Sequence, residues 1–177
     1  MMVRRLRTEE LLPDIIDNNV RILFVGLAPS EYSAECGHYH ADEDDEFYQL
    51  LFDAKLTSEQ VMPHRDHRLP EFRIGLTHLS NTNTLADVDE PDPVDYAVGK
   101  LIRLVFTRKP CIVCFIGKAA FKQFYDLPTD YGLQKQRIGT ARVFVVPDSH
   151  PARRKDPQAD VIKFYRQLYE SGKEHYE

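Results

Sequence analysis

Cysteine is scarce: Cys36, Cys111 and Cys114 are the only three in 177 residues. Three thiols do not form a disulfide framework, and they are too few for an iron–sulfur cluster, which takes about four thiolates. Cys111 and Cys114 make a C-x-x-C, but inside an apolar, strand-like run, which reads as two buried thiols in a reducing cytosol. Long apolar runs are missing too. None approaches the roughly 20 residues of a membrane-spanning helix, and Met1-Met2-Val3-Arg4-Arg5 is basic without the apolar stretch of a secretory signal. A basic excess is also lacking, because 23 Lys and Arg stand against 28 Asp and Glu, a net charge of −5. That argues against a long, charge-driven nucleic-acid footprint while leaving room for a local basic patch. There is no internal repeat and no low-complexity linker. What is there, 42% hydrophobic and 29% charged residues, suits one globular domain over residues 1–177 with a full core.

The chain is organised around Ile22-Leu23-Phe24-Val25, an apolar, β-branched and aromatic run that Gly26 and Pro29 end abruptly. This reads as a buried strand emptying into a tight turn. Upstream, Leu11, Leu12, Ile15 and Ile16 predict a short leading helix over Thr8–Asp17, capped by Thr8. Downstream, the acidic run Asp42 to Glu46 precedes Phe47, Tyr48, Leu50, Leu51 and Phe52, an amphipathic helix with its acids on the first turn. Residues 57–73 read as a short helix plus loop, Ile74–Leu79 as a second strand, and 80–92 as a long polar loop. A helix over 93–107 leads to a third strand, Cys111–Ile116, and Gly117 turns into a helix over 118–126. Val143–Val146 is the fourth strand, 147–156 a loop, and 159–171 the closing helix. The alternation predicts an α/β fold, a three-layer αβα sandwich with a parallel four-stranded sheet and right-handed crossovers. The turns after strands one, three and four then open on one edge, where ligands bind in such sheets.

On these elements sit five short motifs. Gly26-Leu27-Ala28-Pro29-Ser30 follows the first strand, and Gly37-His38-Tyr39-His40 comes next, with Phe47-Tyr48 opening a helix. Arg73-Ile74-Gly75-Leu76-Thr77-His78-Leu79, preceded by the segment from His64 to Pro70, forms the second strand. Gly117-Lys118 with Phe121 follows the third, and Val146-Pro147-Asp148-Ser149-His150-Pro151-Ala152-Arg153 the fourth. In this order they resemble the uracil-DNA glycosylase superfamily, in particular its mismatch-specific branch, the thymine-DNA glycosylase and bacterial Mug type, from about Ile22 to the last helix. The resemblance implies a base-excision-repair hydrolase that flips uracil or a mismatched base out of double-stranded DNA. The N-glycosidic bond is then hydrolysed without metal or cofactor; flipping is needed because the stack shields that bond. It also implies a monomer with no membrane association, located in the cytoplasm.

The resemblance assigns roles residue by residue. Ala28 stands where the family carries the Asn that positions the attacking water, and a methyl group cannot orient water. Another group then takes over, with His40, Asp42 and Asp45 nearest, or the protein is a weak or inactive DNA- or nucleobase-binding module on the same fold. Asp42 alternatively caps the following helix. Gly26, Leu27, Tyr39, His40 and His78 fall at base-binding positions; His40 replaces an aromatic stacker, and His78 replaces a base-contacting Asn or Lys. Each histidine alternatively packs as a structural residue. Asn81 and Asn83 offer amide contacts or simply form turns. His150 matches a histidine that stabilises the departing base anion. Lys118, Ser149, Arg153 and Arg154 fall at DNA-binding positions, Arg153 where the family fills the gap left by the flipped base. His38, His40, His64 and His67 have spacings competent for zinc, but no partner ligand is defined, and no metal is expected.

Overall fold

The computed structural model describes residues 12–80, 93–154, 156 and 160–173. Two apolar runs form β1 (Ile22–Gly26) and β3 (Ile112–Ile116), and β2 (Ile74–His78) ends in the polar Thr77 and His78; all three are buried at every residue. Continuous burial is the mark of strands covered on both faces. β4 (Gly132–Ile138) and β5 (Ala141–Val146) form a hairpin. The sheet order is β2-β1-β3-β5-β4, with β2, β1, β3 and β5 parallel and β4 antiparallel to β5. The sheet is therefore mixed and five-stranded, not the parallel four-stranded one expected. β4 escapes a search for apolar runs because it is an edge strand, buried at Gly132 and Ile138 and polar or exposed at most positions between. Its hairpin turns at Gly139-Thr140, with Gly139 at a φ of 58°, the kind of two-residue loop in which glycine leads.

Among the described residues there are five α-helices: α1 (Glu31–Cys36), α2 (Phe47–Asp53), α3 (Pro93–Arg108), α4 (Lys118–Tyr125) and α5 (Val161–Gly172). Alternate strand residues point to opposite faces. Ile22, Phe24, Cys114 and Phe144 pack with α2 and α5 through Leu51, Tyr165 and Leu168. Leu23, Val25, Phe115 and Val145 pack with α3 and α4 through Leu101, Val105 and Phe121. Two cores on the two faces give the three layers.

The part of the leading helix that can be seen, residues 12–17, is not helical. Pro13 lies within it, and Ile15 instead exchanges backbone hydrogen bonds with Leu76, at 3.0 and 2.7 Å. This pairing covers the outer edge of β2. Thr8 to Leu11, and Asn81 and Asn83, lie outside the described residues. α1 was not expected; Ser30 caps it, and Gly37 ends it at a φ of 74°. The acidic run does not sit on the first turn of α2. It forms an irregular approach to that helix: Asp42 bonds Ser30 and Ser33, Glu46 pairs with Arg154, and Asp45 meets His40 and Arg153 while accepting from the Phe47 amide.

Candidate functional site

The parallel strands end on one cavity of about 330 Å³. The turn after β1 makes one wall. Ser30 at the N-cap of α1 accepts from the Ser33 amide at 3.0 Å, and its hydroxyl donates to Asp42 Oδ2 at 2.5 Å. Ser33 adds a second donor to the same oxygen at 3.3 Å and accepts from the Ala41 amide at 2.9 Å. Asp42 thus ties the chain back onto α1, and the expectation that it caps α2 does not hold. Asp42 Oδ1 is left without a partner among the described residues, and Asp42 and Ala28 line the same cavity.

The end of β2 makes the second wall. His78 is 6% exposed and lies across the end of β1; a Cβ built on Gly26 meets its Cδ2 at 2.6 Å. Glycine at 26 is what makes room for the ring. Tyr39, itself fully buried, stacks on the His78 ring at 4.8 Å and 6°. The Tyr39 hydroxyl donates to the Pro13 carbonyl, and its amide donates to Asp66. Burial pulls the His78 pKa down to about 3, helped by the charges of His40, Arg153 and Lys100. His78 is a neutral imidazole, and its Nδ1 is buried without a hydrogen-bond partner.

His40 takes a left-handed backbone, φ 51°, which aims its ring along Phe47 in a stack of 4.0 Å and 22°. Its Nδ1 meets Asp45 Oδ2 at 3.1 Å. Asp45 is fully buried in its side chain and also meets Arg153 Nη2 at 3.3 Å and the Phe47 amide at 3.0 Å. Burial, the strongest influence on this carboxyl, opposes its charge. The combined pull of His40, the Ser149 hydroxyl and the Phe47 amide outweighs it and holds the pKa well below the carboxylate range.

The loop after β5 closes the mouth. Asp148 accepts from the His150 amide at 2.9 Å and from Arg153 Nε at 3.3 Å. Arg154 donates to the Asp148 carbonyl at 2.8 Å and to Glu46 at 2.6 Å. Opposite, Gly117 turns at a φ of 88° into α4, and the Lys118 ammonium sits 4.5 Å from the centre of the Tyr131 ring. Among the described residues no three histidine, cysteine or carboxylate side chains converge as metal ligands.

With this arrangement in view, the comparison with known families is decisive: the model of the uracil DNA glycosylase superfamily matches residues 13–169. This chain belongs to the uracil DNA glycosylase superfamily. Its fold is similar to the solution structure of a candidate uracil DNA glycosylase from Methanosarcina acetivorans. The two share a TM-score of 0.59 and 20% identity over 89% of this chain and 96% of that one. At that identity the likeness speaks for the fold.

Against the superfamily's motifs, Gly26, Leu27, Ala28, His40, Asp42, His78, Lys118, Arg153 and Arg154 all line the cavity. Three named residues do not. Tyr39 lies behind His78 as its support. Ser149 is fully buried, with its hydroxyl 3.5 Å from His40 Nδ1 and its carbonyl taking the Glu46 amide, so it braces the site from behind. His150 spends its Nδ1 accepting from the Ala152 amide at 3.2 Å; it caps the short 3₁₀ turn Pro151–Arg153 and stays out of the cavity. Among the cavity residues that carried no expectation from sequence, two are aromatic or charged. Tyr131 precedes the strand that was missed, and Asp148 sat in the second motif without an assigned role.

Proposed function

We propose that this protein is a DNA glycosylase of the mismatch-specific type, which draws uracil or a mismatched base out of duplex DNA and hydrolyses its glycosidic bond. In this reading the base stacks on the face of His40 that Phe47 leaves free, with its edge turned to His78. Arg153, Arg154 and Lys118 exchange intramolecular contacts for backbone phosphates. The single observation that carries the reading is Asp42. Its Oδ2 is fixed by two seryl hydroxyls, its Oδ1 is free, and it shares a cavity with Ala28, where the family's water-positioning Asn stands. Water held by Asp42 attacks C1′ as the C1′–N bond breaks; the base departs with the bonding electron pair, and the water proton passes to the carboxylate. The protein works as a monomer, in the cytoplasm.

The test is abasic-site cleavage of G·U, G·T and single-stranded uracil oligonucleotides, with Asp42→Asn and Ala28→Asn beside the wild type. Release that survives EDTA, falls about a hundredfold in Asp42→Asn and rises in Ala28→Asn supports the assignment; one well-placed charged group contributes on that order. Equal rates in Asp42→Asn would remove Asp42 from the mechanism.

A second reading is a binding module without turnover. It is favoured by Ala28 and by the pairing of Arg153 and Arg154 with Asp45, Asp148 and Glu46. Duplex binding with no abasic sites from any substrate would establish it.

A further inference from the structure

A run of cations and rings leads out of the cavity. The Lys118 ammonium sits 4.5 Å from the Tyr131 ring, Tyr131 meets Phe164 at 5.2 Å, and the Lys163 ammonium lies 5.6 Å from the Phe164 ring. Lys118 and Tyr131 line the cavity. Lys163 lines a second, shallower groove of about 610 Å³ between β4 and α5. Cation, ring, ring and cation thus join the two without a break, and both rings are only partly buried. In the groove, Leu133 is 54% exposed, and Arg166 follows Lys163 along α5. The carboxylates there are engaged: Asp160 accepts from the Lys163 amide at 3.2 Å, and Glu170 meets Lys173 at 3.8 Å. Lys163 and Arg166 make no ion pair among the described residues.

We propose that the groove between β4 and α5 holds an unpaired DNA strand that leaves the cavity over Tyr131 and Phe164. The proposal rests on the reading of the cavity as a DNA site. Its partner is DNA with a single-stranded stretch beside the target nucleotide, as at a tail, gap or fork. Cations that track phosphates, alternating with rings that stack bases, suit a single strand. A duplex keeps its bases paired and stacked and offers the rings nothing. The free cations lie on a chain of net charge −5, so the attraction is local and guides the strand along this one path. A protein segment pairing with the open edge of β4 fits less well. The register of β4 against β5 shifts between Leu133 and Arg137, and Lys135 lies within that stretch; a bulged, charged edge resists strand addition.

Fluorescence anisotropy tests this with a short blunt duplex and the same duplex carrying an unpaired tail of about eight nucleotides, within the site sizes of single-strand grooves, at its 5′ or its 3′ end. For the wild type, a tail at one end is expected to tighten binding by about tenfold or more. The double variant Lys163→Ala/Arg166→Ala, altered only at exposed side chains, is expected to lose that gain while its blunt-duplex affinity and thermal midpoint stay as in the wild type. The slope of log affinity against log salt for the tailed duplex should lessen by about 1.4, two phosphates at about 0.7 each. Phe164→Leu, which keeps an apolar side chain but no ring, is expected to lose part of the gain with the salt slope unchanged. No gain from a tail at either end, or an equal gain in the double variant, overturns the proposal. So does binding of a polyglutamate peptide that the double variant loses while the tail gains nothing, which would give the groove to an acidic protein segment. Failure of the glycosylase reading looks different: no abasic sites form on any substrate, while the tail's gain and its loss in the double variant persist.

Discussion

The two loops that face each other across the cavity are held by different forces. The segment from Gly26 to Asp42 is set by short-range fit: Gly26 under His78, Tyr39 against His78, and seryl hydroxyls on Asp42. The loop from Pro147 to Arg154 is set by charge: Arg153 reaches Asp45 and Asp148, and Arg154 reaches Glu46. The difference teaches what each wall can do. A fitted wall keeps its shape whatever binds, as a base pocket requires. A wall of arginine–carboxylate pairs can trade its partners for phosphates, because both bind guanidinium in the same way.

Four changes would break or sharpen that contrast. Asp45→Asn strikes a group shared by both walls, leaving His40 and Arg153 without their carboxylate. A loss of about 3 kcal/mol in urea unfolding is expected, as for other buried charge partners removed singly. The difference from wild type should hold above about pH 4, the range of an unfolded aspartate. It should shrink below that, because a carboxyl depressed by folding loses its contribution as pH falls towards its folded pKa. A difference unchanged at pH 3 would mean that Asp45 is not held ionised. Gly26→Ala tests the fitted wall. Its new Cβ overlaps the ring that Tyr39 stacks on, and a loss of about 2 kcal/mol is expected for such overpacking. Full stability would show that the ring is free to move.

His78→Asn separates the two walls by pH. The folded His78 refuses a proton that the unfolded chain accepts at about pH 6.5. Wild-type stability should therefore fall as pH drops from about 6.5 towards 3, at up to about 1.4 kcal/mol per unit, and this slope should lessen in the variant. Parallel pH curves for the two proteins would contradict a neutral buried His78. Arg153→Ala should have the smallest effect on stability, about 0 to 1 kcal/mol, because the side chain is 42% exposed and such pairs contribute little. Duplex affinity should nonetheless fall, and the slope of log affinity against log salt should lessen by about 1. An unchanged slope would take Arg153 off the phosphates.

Much of the fold was legible because burial on both faces leaves a plain signature: β1 and β3 are apolar runs, and β2 has Ile74 and Leu76 ahead of Thr77 and His78. β4 was not legible. Leu133-Gln134-Lys135-Gln136-Arg137 carries no apolar alternation, and the strand exists because β5 offers it an edge. The leading helix failed for the opposite reason, since an apolar spacing that suits a helix was taken up by pairing between Ile15 and Leu76. At the site, Gly26, Ala28, His40 and His78 could be placed by motif and by position at strand ends. The engagements of Ser149 and His150 could not, because each is settled by neighbours: Ser149 by Asp45, His40 and Glu46, His150 by the turn it caps.

By itself the sequence determined the buried parallel strands, the superfamily motifs in their order, and the loss at Ala28 of any side chain able to hold water. Those follow from residue type and spacing, which act locally. Tertiary structure alone decided that Asp42 is anchored beside Ala28, that Asp45 joins His40 to Arg153, and that His78 is sealed, neutral and turned by Tyr39. These depend on groups far apart in the chain meeting where water is excluded, and there the surroundings fix charge and orientation.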